Sequence, residues 1–400
     1  MDNRKIVHLK GPDRIRLRPA VVFGTGDIHG AWEAVRNLLE IFVTEALLGH
    51  GKRLSVKQDG AVLEISGEDR GLYLGQDSGD DSPWQRIFCE MYPMPAYRPD
   101  EGEYVLGLIG SSHHMLYGDE PTPNSIYFPG DKGYFELYAA QCVSRFMDVT
   151  VRRDGVCSTL HFEKGHNMGG ITHTATTEGN GTCFRLAMDE DVFTETVIPV
   201  QYILAALEEF AILAPGLSCT YENGSVRKSF CYEGGSVEYM QKKCAASAQG
   251  VFGNTIAAKG RERYDRAEYE ACVEIAIGYT PDAGGVKCLH NFKHLTYGGA
   301  HYNALQKALC DAFNSCYRSC LGETPLTFEE LTRHLSVLLI TRCSPYCSHW
   351  ENGSRLAIRN RVIADMTKDA LVPAFENNLY DHKIVYQELI DKILAERSKN

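Results

Sequence analysis

No stretch of this chain approaches the roughly eighteen consecutive apolar residues of a membrane-spanning helix, so no membrane partner is expected. Met1-Asp2-Asn3-Arg4-Lys5 leads into no apolar run, so a secretory signal is not expected either and the chain reads as cytoplasmic. Internal repeats and low-complexity tracts are missing, which excludes solenoids and linker-like chains. Positive charge is in deficit: 41 Lys+Arg stand against 52 Asp+Glu, a net charge of −11 concentrated in the first half. Such a chain does not coat phosphate backbones by bulk attraction, and any DNA contact must come from local basic patches in the second half.

What is present is ordinary globular material. Hydrophobic residues make up 44% and charged residues 23%, which excludes wholesale disorder. A length of 400 residues points to two domains, each able to bury a core. The 14 cysteines read as reduced thiols. Cys316/Cys320 and Cys343/Cys347 share a C-x3-C spacing that could suggest zinc. Cys310, Cys316 and Cys320 fall in a helical pattern, however, where small apolar thiols serve as packing residues, and structural cysteine is the reading adopted.

Residues 31–48 carry apolar side chains at Ala34, Val35, Leu38, Leu39, Phe42, Val43, Ala46 and Leu47, one face of a helix. Residues 53–57 and 61–65 alternate around Gln58-Asp59-Gly60, a hairpin signal. Residues 76–125 are irregular and rich in Asp, Gly, Pro, Ser and His, the composition of a lid or binding loop. Further on, the pattern predicts a helix over 134–146, a hairpin over 148–163 turning at Asp154-Gly155, a strand over 182–188 and a helix over 199–214. Pro215-Gly216 then breaks the chain and is taken as the domain boundary. The second half predicts strands over 218–221, 227–232, 271–279, 285–292 and 337–342, and helices over 300–321, 360–377 and 382–399. Both halves read as α+β sandwiches.

Several segments resemble the B subunit of DNA gyrase and topoisomerase IV. The opening run from Ile6 to Gly24, with Val7-His8-Leu9-Lys10-Gly11 and Ile15-Arg16-Leu17-Arg18-Pro19, is similar to that family's first segment. Glu45-Ala46-Leu47-Leu48-Gly49-His50 resembles its E-A-L-A-G-H. Gly181-Thr182-Cys183-Phe184-Arg185-Leu186, with Asp189 and Phe193, resembles a later strand motif. Tyr232-Glu233-Gly234-Gly235 and Asn291-Phe292 through Gly298-Gly299-Ala300-His301 resemble motifs of its second domain. The resemblance implies a GHKL-type ATPase-like α/β sandwich over 1–215 and a transducer-like α/β domain over 216–400. The TOPRIM segment and the DNA-cleavage residues are not found in this sequence. It further implies a homodimer, a topoisomerase A-subunit-like partner, and a role in ATP-dependent DNA topological change.

The family's ATP site needs a glutamate base on the first long helix, a magnesium-holding asparagine four residues later, an adenine-binding aspartate and a glycine-rich lid end. Aligned on Glu45–His50, the base position falls on Asn37, which takes no proton at neutral pH, and the metal position on Ile41, which offers no oxygen. The adenine aspartate falls on Gly67, while Arg70 and Gly71 of that motif are retained. The lid falls on Gly130, Lys132 and Gly133, followed by bulky Tyr134 and acidic Glu136. Thr182, which supports the adenine aspartate in the family, is kept, and Arg355 stands where the transducer's phosphate-sensing lysine would be. Losing the base alone costs roughly 10²–10⁴ in rate. The expectation is therefore a shortened, catalytically degenerate homologue, a pseudo-ATPase with no cofactor; ATP and Mg2+ would apply only if the family site still worked. Sliding the helix by one turn supplies a Glu-x3-Asn pair, Glu33 and Asn37, at the expense of the flanking alignment.

Two other readings stand beside this one. A repurposed interaction or structural module, or a binder of a different small ligand, would not act on DNA. Gly26-Asp27-Ile28-His29-Gly30 also fits a metallophosphoesterase motif, in which Asp and His bind a di-metal centre, but its companion motifs are incomplete.

Overall fold

The computed structural model describes residues 9–75, 82–91, 96–98, 103–105, 134–224, 226–244, 250–263, 268–281, 283–344, 347–351 and 356–399. The chain separates into two compact units, the first running to Cys231 and the second continuing from Tyr232.

The strands of the first unit are β1 (Arg53–Asp59), β2 (Val62–Gly67), β3 (Ala96–Arg98), β4 (Glu103–Val105), β5 (Ser144–Arg153), β6 (Val156–Glu163), β7 (His166–Ala175), β8 (Gly181–Met188), β9 (Ser218–Asn223) and β10 (Val226–Phe230). Eight of them form one sheet in the order β10-β9-β1-β2-β8-β5-β6-β7, and β3 and β4 pair separately. The hairpin turns at Asp154-Gly155 and Lys164-Gly165 place both residues at positive φ, the backbone twist that two-residue connections need.

One face of the sheet is apolar. Leu54, Val56, Leu63, Ile65, Met147, Val149, Leu160, Phe184 and Leu186 point into the core at every second position. The helix Ile28–Leu47 covers this face. Its start is fixed by Asp27, whose side chain accepts from the His29 N–H, and Gly49 at φ +84 follows its end.

The opposite face carries a row of charges in alternating sign. Arg227 faces Glu222, which faces Lys57, which faces Glu64, which faces Arg185, which faces Asp148, which faces His161. Lys57 Nζ lies 2.9 Å from Glu64, and Asp148 takes Arg185 at 3.2 Å and His161 Nδ1 at 2.6 Å. Each such exposed pair contributes about 0.2–1 kcal/mol, and together they fix the register while leaving this face hydrated.

Pro215-Gly216 is a turn inside this unit and not its boundary. The strand that follows, β9, pairs in parallel with β1 from Arg53↔Ser218 to Lys57↔Glu222, and β10 pairs with β9. The first unit therefore keeps the chain as far as Cys231. The helix predicted over 134–146 ends at Cys142, because Ser144 onward is captured by β6 and β8.

The second unit holds a five-stranded sheet in the order β11-β12-β15-β13-β14. These are β11 (Phe252–Gly260), β12 (Tyr269–Tyr279), β13 (Gly285–His290), β14 (Lys293–His294) and β15 (Leu335–Cys343). Its core joins Val273, Ile275, Ile277, Leu339, Leu305, Phe313, Phe375 and Tyr386. The predicted helix over 360–377 is divided into Arg361–Leu371 and Ala374–Asp381, with Pro373 between them.

Candidate nucleotide-type site

Glu33, Asn37 and Ile41 lie one turn apart on the helix Ile28–Leu47. Asn37 and Ile41 are buried and Glu33 is half-buried. Between them, Arg36 is held by Glu40 at 3.1 Å and Glu209 at 2.8 Å, with its guanidinium 5.2 Å from the Phe210 ring centre. Burial pulls the Arg36 pKa down, but the two carboxylates outweigh it and raise the pKa above its ordinary value. This side of the helix is thus tied to the helix Val200–Leu213.

Gly67 ends β2 directly opposite Thr182 on β8. A Cβ placed on Gly67 would sit 2.2 Å from Phe42 Cδ1, so the ring of Phe42 occupies the space a side chain at 67 would need. Phe42 is itself buried and meets Phe184 edge-on, with ring centres 6.0 Å apart.

Thr182 still supports a carboxylate, but one from a different position. Its hydroxyl donates to Asp69 Oδ2 at 2.8 Å and accepts the Leu72 N–H at 3.3 Å. Asp69 is 6% exposed. Alignment on the flanking motifs puts the carboxylate position at 67, whereas the carboxylate that Thr182 holds is Asp69, two residues on; its signal in the sequence is the acidic pair Glu68-Asp69 just before Arg70.

Arg70 and Gly71, expected to bind cofactor, have structural work. Arg70 grips the fully buried Glu45 through Nε at 2.9 Å and Nη2 at 2.7 Å, a bidentate fork joining the helix to the loop after β2. Gly71 has φ +77, and a Cβ there would meet the Arg152 carbonyl at 2.4 Å, so it serves close backbone approach. Gly130, Lys132, Gly133 and Arg355 lie outside the described residues.

The Gly26–Gly30 motif forms a helix cap. Asp27 Oδ1 accepts from Thr25 Oγ1 at 2.6 Å and from the His29 N–H at 2.9 Å, and the Thr25 hydrogen bond leads in lowering its pKa. Among the described residues no three His, Cys, Asp or Glu side chains converge to hold a metal, so the phosphoesterase motif gains no metal centre there. No helix among the described residues is long and apolar enough to cross a membrane.

No family model matches this chain. It is 26% identical over 314 residues to the B subunit of DNA gyrase from Thermotoga maritima, covering 76% of this chain and 45% of that protein. It is 25% identical over 375 residues to the B subunit of DNA topoisomerase 4 from Salmonella typhimurium, covering 90% and 54%. Among solved structures, the 43K ATPase domain of Thermus thermophilus gyrase B, in complex with an aminocoumarin, matches with a TM-score of 0.64 at 17% identity, covering 97% of this chain and 95% of that one. The B-subunit of the DNA gyrase from Myxococcus xanthus matches with a TM-score of 0.68 at 15% identity, covering 95% and 99%. The architecture is therefore α+β, with the fold of the solved gyrase B and topoisomerase IV ATP-binding domains it matches. The chain is similar to the B subunits of DNA gyrase and topoisomerase IV, and it spans about half the length of the curated relatives it matches.

Proposed function

We propose that this chain is a gyrase-B-like module that serves a DNA-topology assembly through its contacts rather than by hydrolysing ATP. The observation that carries this reading is Phe42 packed onto Gly67, which fills the place where the family's adenine-binding carboxylate would stand. Asn37 at the base position and Ile41 at the metal position support it, since Asn37 cannot take a proton from water and Ile41 has no side-chain oxygen to offer Mg2+. Of the retained family residues, Arg70 is committed to Glu45 and Thr182 to Asp69. On this reading the protein is a cytoplasmic pseudo-ATPase that works with an A-subunit-like partner as a homodimer. Any DNA contact would be local, given the net charge of −11.

Titration calorimetry with a non-hydrolysable ATP analogue and Mg2+ tests the proposal. The expected result is no saturable heat. Saturable binding that disappears in Glu33→Ala would overturn it and establish Glu33 and Asn37 as a working base and metal ligand in the shifted alignment. If the analogue does not bind and the chain shows no salt-sensitive retention on DNA, the module acts through protein partners alone.

A further inference from the structure

A cavity of about 930 Å³ lies on the charged face of the eight-stranded sheet, the face opposite the helix Ile28–Leu47. Its size is that of a small-molecule site. On a face otherwise polar, it has an apolar part made by Phe146, Val62 and Met168. Phe146 is half-buried and Met168 is 51% exposed.

Two irregularities of the sheet meet at this cavity. In β5, Ser144 faces Met188 and Phe146 faces Ala187, so Arg145 is the extra residue of a bulge. Neighbours along a strand ordinarily point to opposite faces; the bulge lets Arg145 and Phe146 line the same cavity. In β7, Asn167 faces Phe162 and Ile171 faces Leu160, so Met168, Gly169 and Gly170 stand against His161 alone. The two glycines take φ +104 and +79, and the Asn167 side chain accepts the Gly170 N–H at 2.6 Å, which fixes this turn of the strand.

The charged groups around the cavity are unequally committed. Asp148 takes Arg185 at 3.2 Å and His161 at 2.6 Å, His161 also lies 3.4 Å from Glu163, and Lys164 reaches Asp191 at 2.5 Å. Arg145 and His166 are exposed, and among the described residues neither side chain has an ion-pair partner. The guanidinium of Arg145 stands 5.9 Å from the Phe146 ring centre and that of Arg185 5.2 Å. Of the fixed charges that line the cavity, Arg145, Lys164 and Arg185 outnumber Asp148 and Glu163 by one, in a chain whose total is −11. That excess suits a single negative charge, whereas a polyphosphate would meet two carboxylates at close range.

We infer that this cavity binds a small aromatic carboxylate, with its ring against Phe146 and Met168 and its carboxylate on Arg145. A guanidinium fork matches a carboxylate bidentately. An aromatic ring gains offset stacking on phenylalanine and a sulfur contact with methionine. The site shares no residue with Glu33, Asn37 and Ile41 on the covered face.

Titration of the full chain with naphthoate, followed through the ligand's own NMR signals, tests this. The expected result is saturable binding that weakens about tenfold or more in Arg145→Gln, a change at an exposed side chain that leaves melting unaltered. Neutral naphthyl methanol should bind weaker than naphthoate by a similar factor. Phe146→Leu keeps an apolar side chain and removes the ring, so it should also weaken binding. Glu33→Ala should leave naphthoate binding unchanged, which separates this cavity from the nucleotide-type site. The inference is overturned if naphthoate does not saturate, if it binds the parent and Arg145→Gln equally, or if an ATP analogue displaces it. An acidic peptide that binds here while naphthoate does not would also overturn it, and would make the cavity a protein-docking surface.

Discussion

Thr182 and Asp69 share a hydrogen bond of 2.8 Å inside the first unit, with the threonine on β8 and the aspartate in the loop after β2. The hydroxyl satisfies two groups at once, since it also accepts the Leu72 N–H. Thr182→Val removes the donor and leaves a buried carboxylate oxygen with one partner fewer, an expected cost of about 1–3 kcal/mol. Urea denaturation should show a lower midpoint at an unchanged slope. Asp69→Asn keeps an acceptor in place and should cost less than Asp69→Ala; equal losses for the two would show that the hydrogen bond is not what holds this loop.

The Phe42–Gly67 contact makes a sharper test, because it predicts failure of additivity. Gly67→Ala drives a methyl group against the phenyl ring and should cost about 1–3 kcal/mol as overpacking, or more if the ring cannot move. Phe42→Ala should cost about 3–5 kcal/mol as a cavity. In the double variant the methyl group enters the vacated space, so the two losses should sum to much less than their separate values. Strict additivity in denaturant melts would mean that the two residues do not compete for one volume.

Sequence reading reaches this region and stops short of the contact for a physical reason. Phe42 is visible as one member of an apolar helical face, and Gly67 as a missing carboxylate, but nothing local links residues 42 and 67. Features with a local cause are legible: the helix Ile28–Leu47 from its periodicity and the hairpin at Asp154-Gly155 from its turn residues. The single helix expected over 360–377 overlooks a local signal, the ring of Pro373, at which the structure parts it in two. Features set by long-range pairing are not. Pro215-Gly216 is a strong local breaker, yet the parallel β9–β1 pairing carries the unit past it. β7 has too few apolar residues to alternate and is invisible as a strand in the sequence; its pairing with β6 supplies what local pattern does not. The charge row from Arg227 to His161 crosses seven strands drawn from distant parts of the chain, so no window of sequence contains it.

The Arg70–Glu45 fork should behave as a structural clamp and not as a ligand-binding group. Glu45 is fully buried, so Arg70→Met strands a carboxylate in the interior, with an expected cost of about 3–5 kcal/mol. Replacing both partners, Arg70→Met with Glu45→Leu, removes the stranded charge and should recover most of the loss. Thermal melts of the three variants decide this; a double variant no more stable than Arg70→Met alone would indicate that the fork's geometry, and not charge compensation, is what matters.

Acid should weaken the second unit through two histidines. His290 is fully buried and bonded to Thr341 and Ser348 at 2.9 and 2.8 Å; burial first, then nearby His301, pushes its pKa down to about 3. Burial pushes His301 down to about 4, and neither of its nitrogens has a hydrogen-bond partner among the described residues. Both imidazoles are therefore neutral in the folded chain while the unfolded chain takes up protons near the ordinary histidine value of about 6.5. Their stabilising contribution is complete above that value and is lost as pH falls toward 4 and then 3, a decline on the order of a few kcal/mol. His161 works in the opposite sense. Its hydrogen bond to Asp148 raises its pKa, so its contribution is present below the ordinary histidine value and lost as pH rises through the folded one. Denaturant melts from pH 7 to pH 4 should show His301→Asn flattening the acid decline and His161→Gln leaving it in place. If the slope is the same in the parent and in His301→Asn, acid sensitivity has another source.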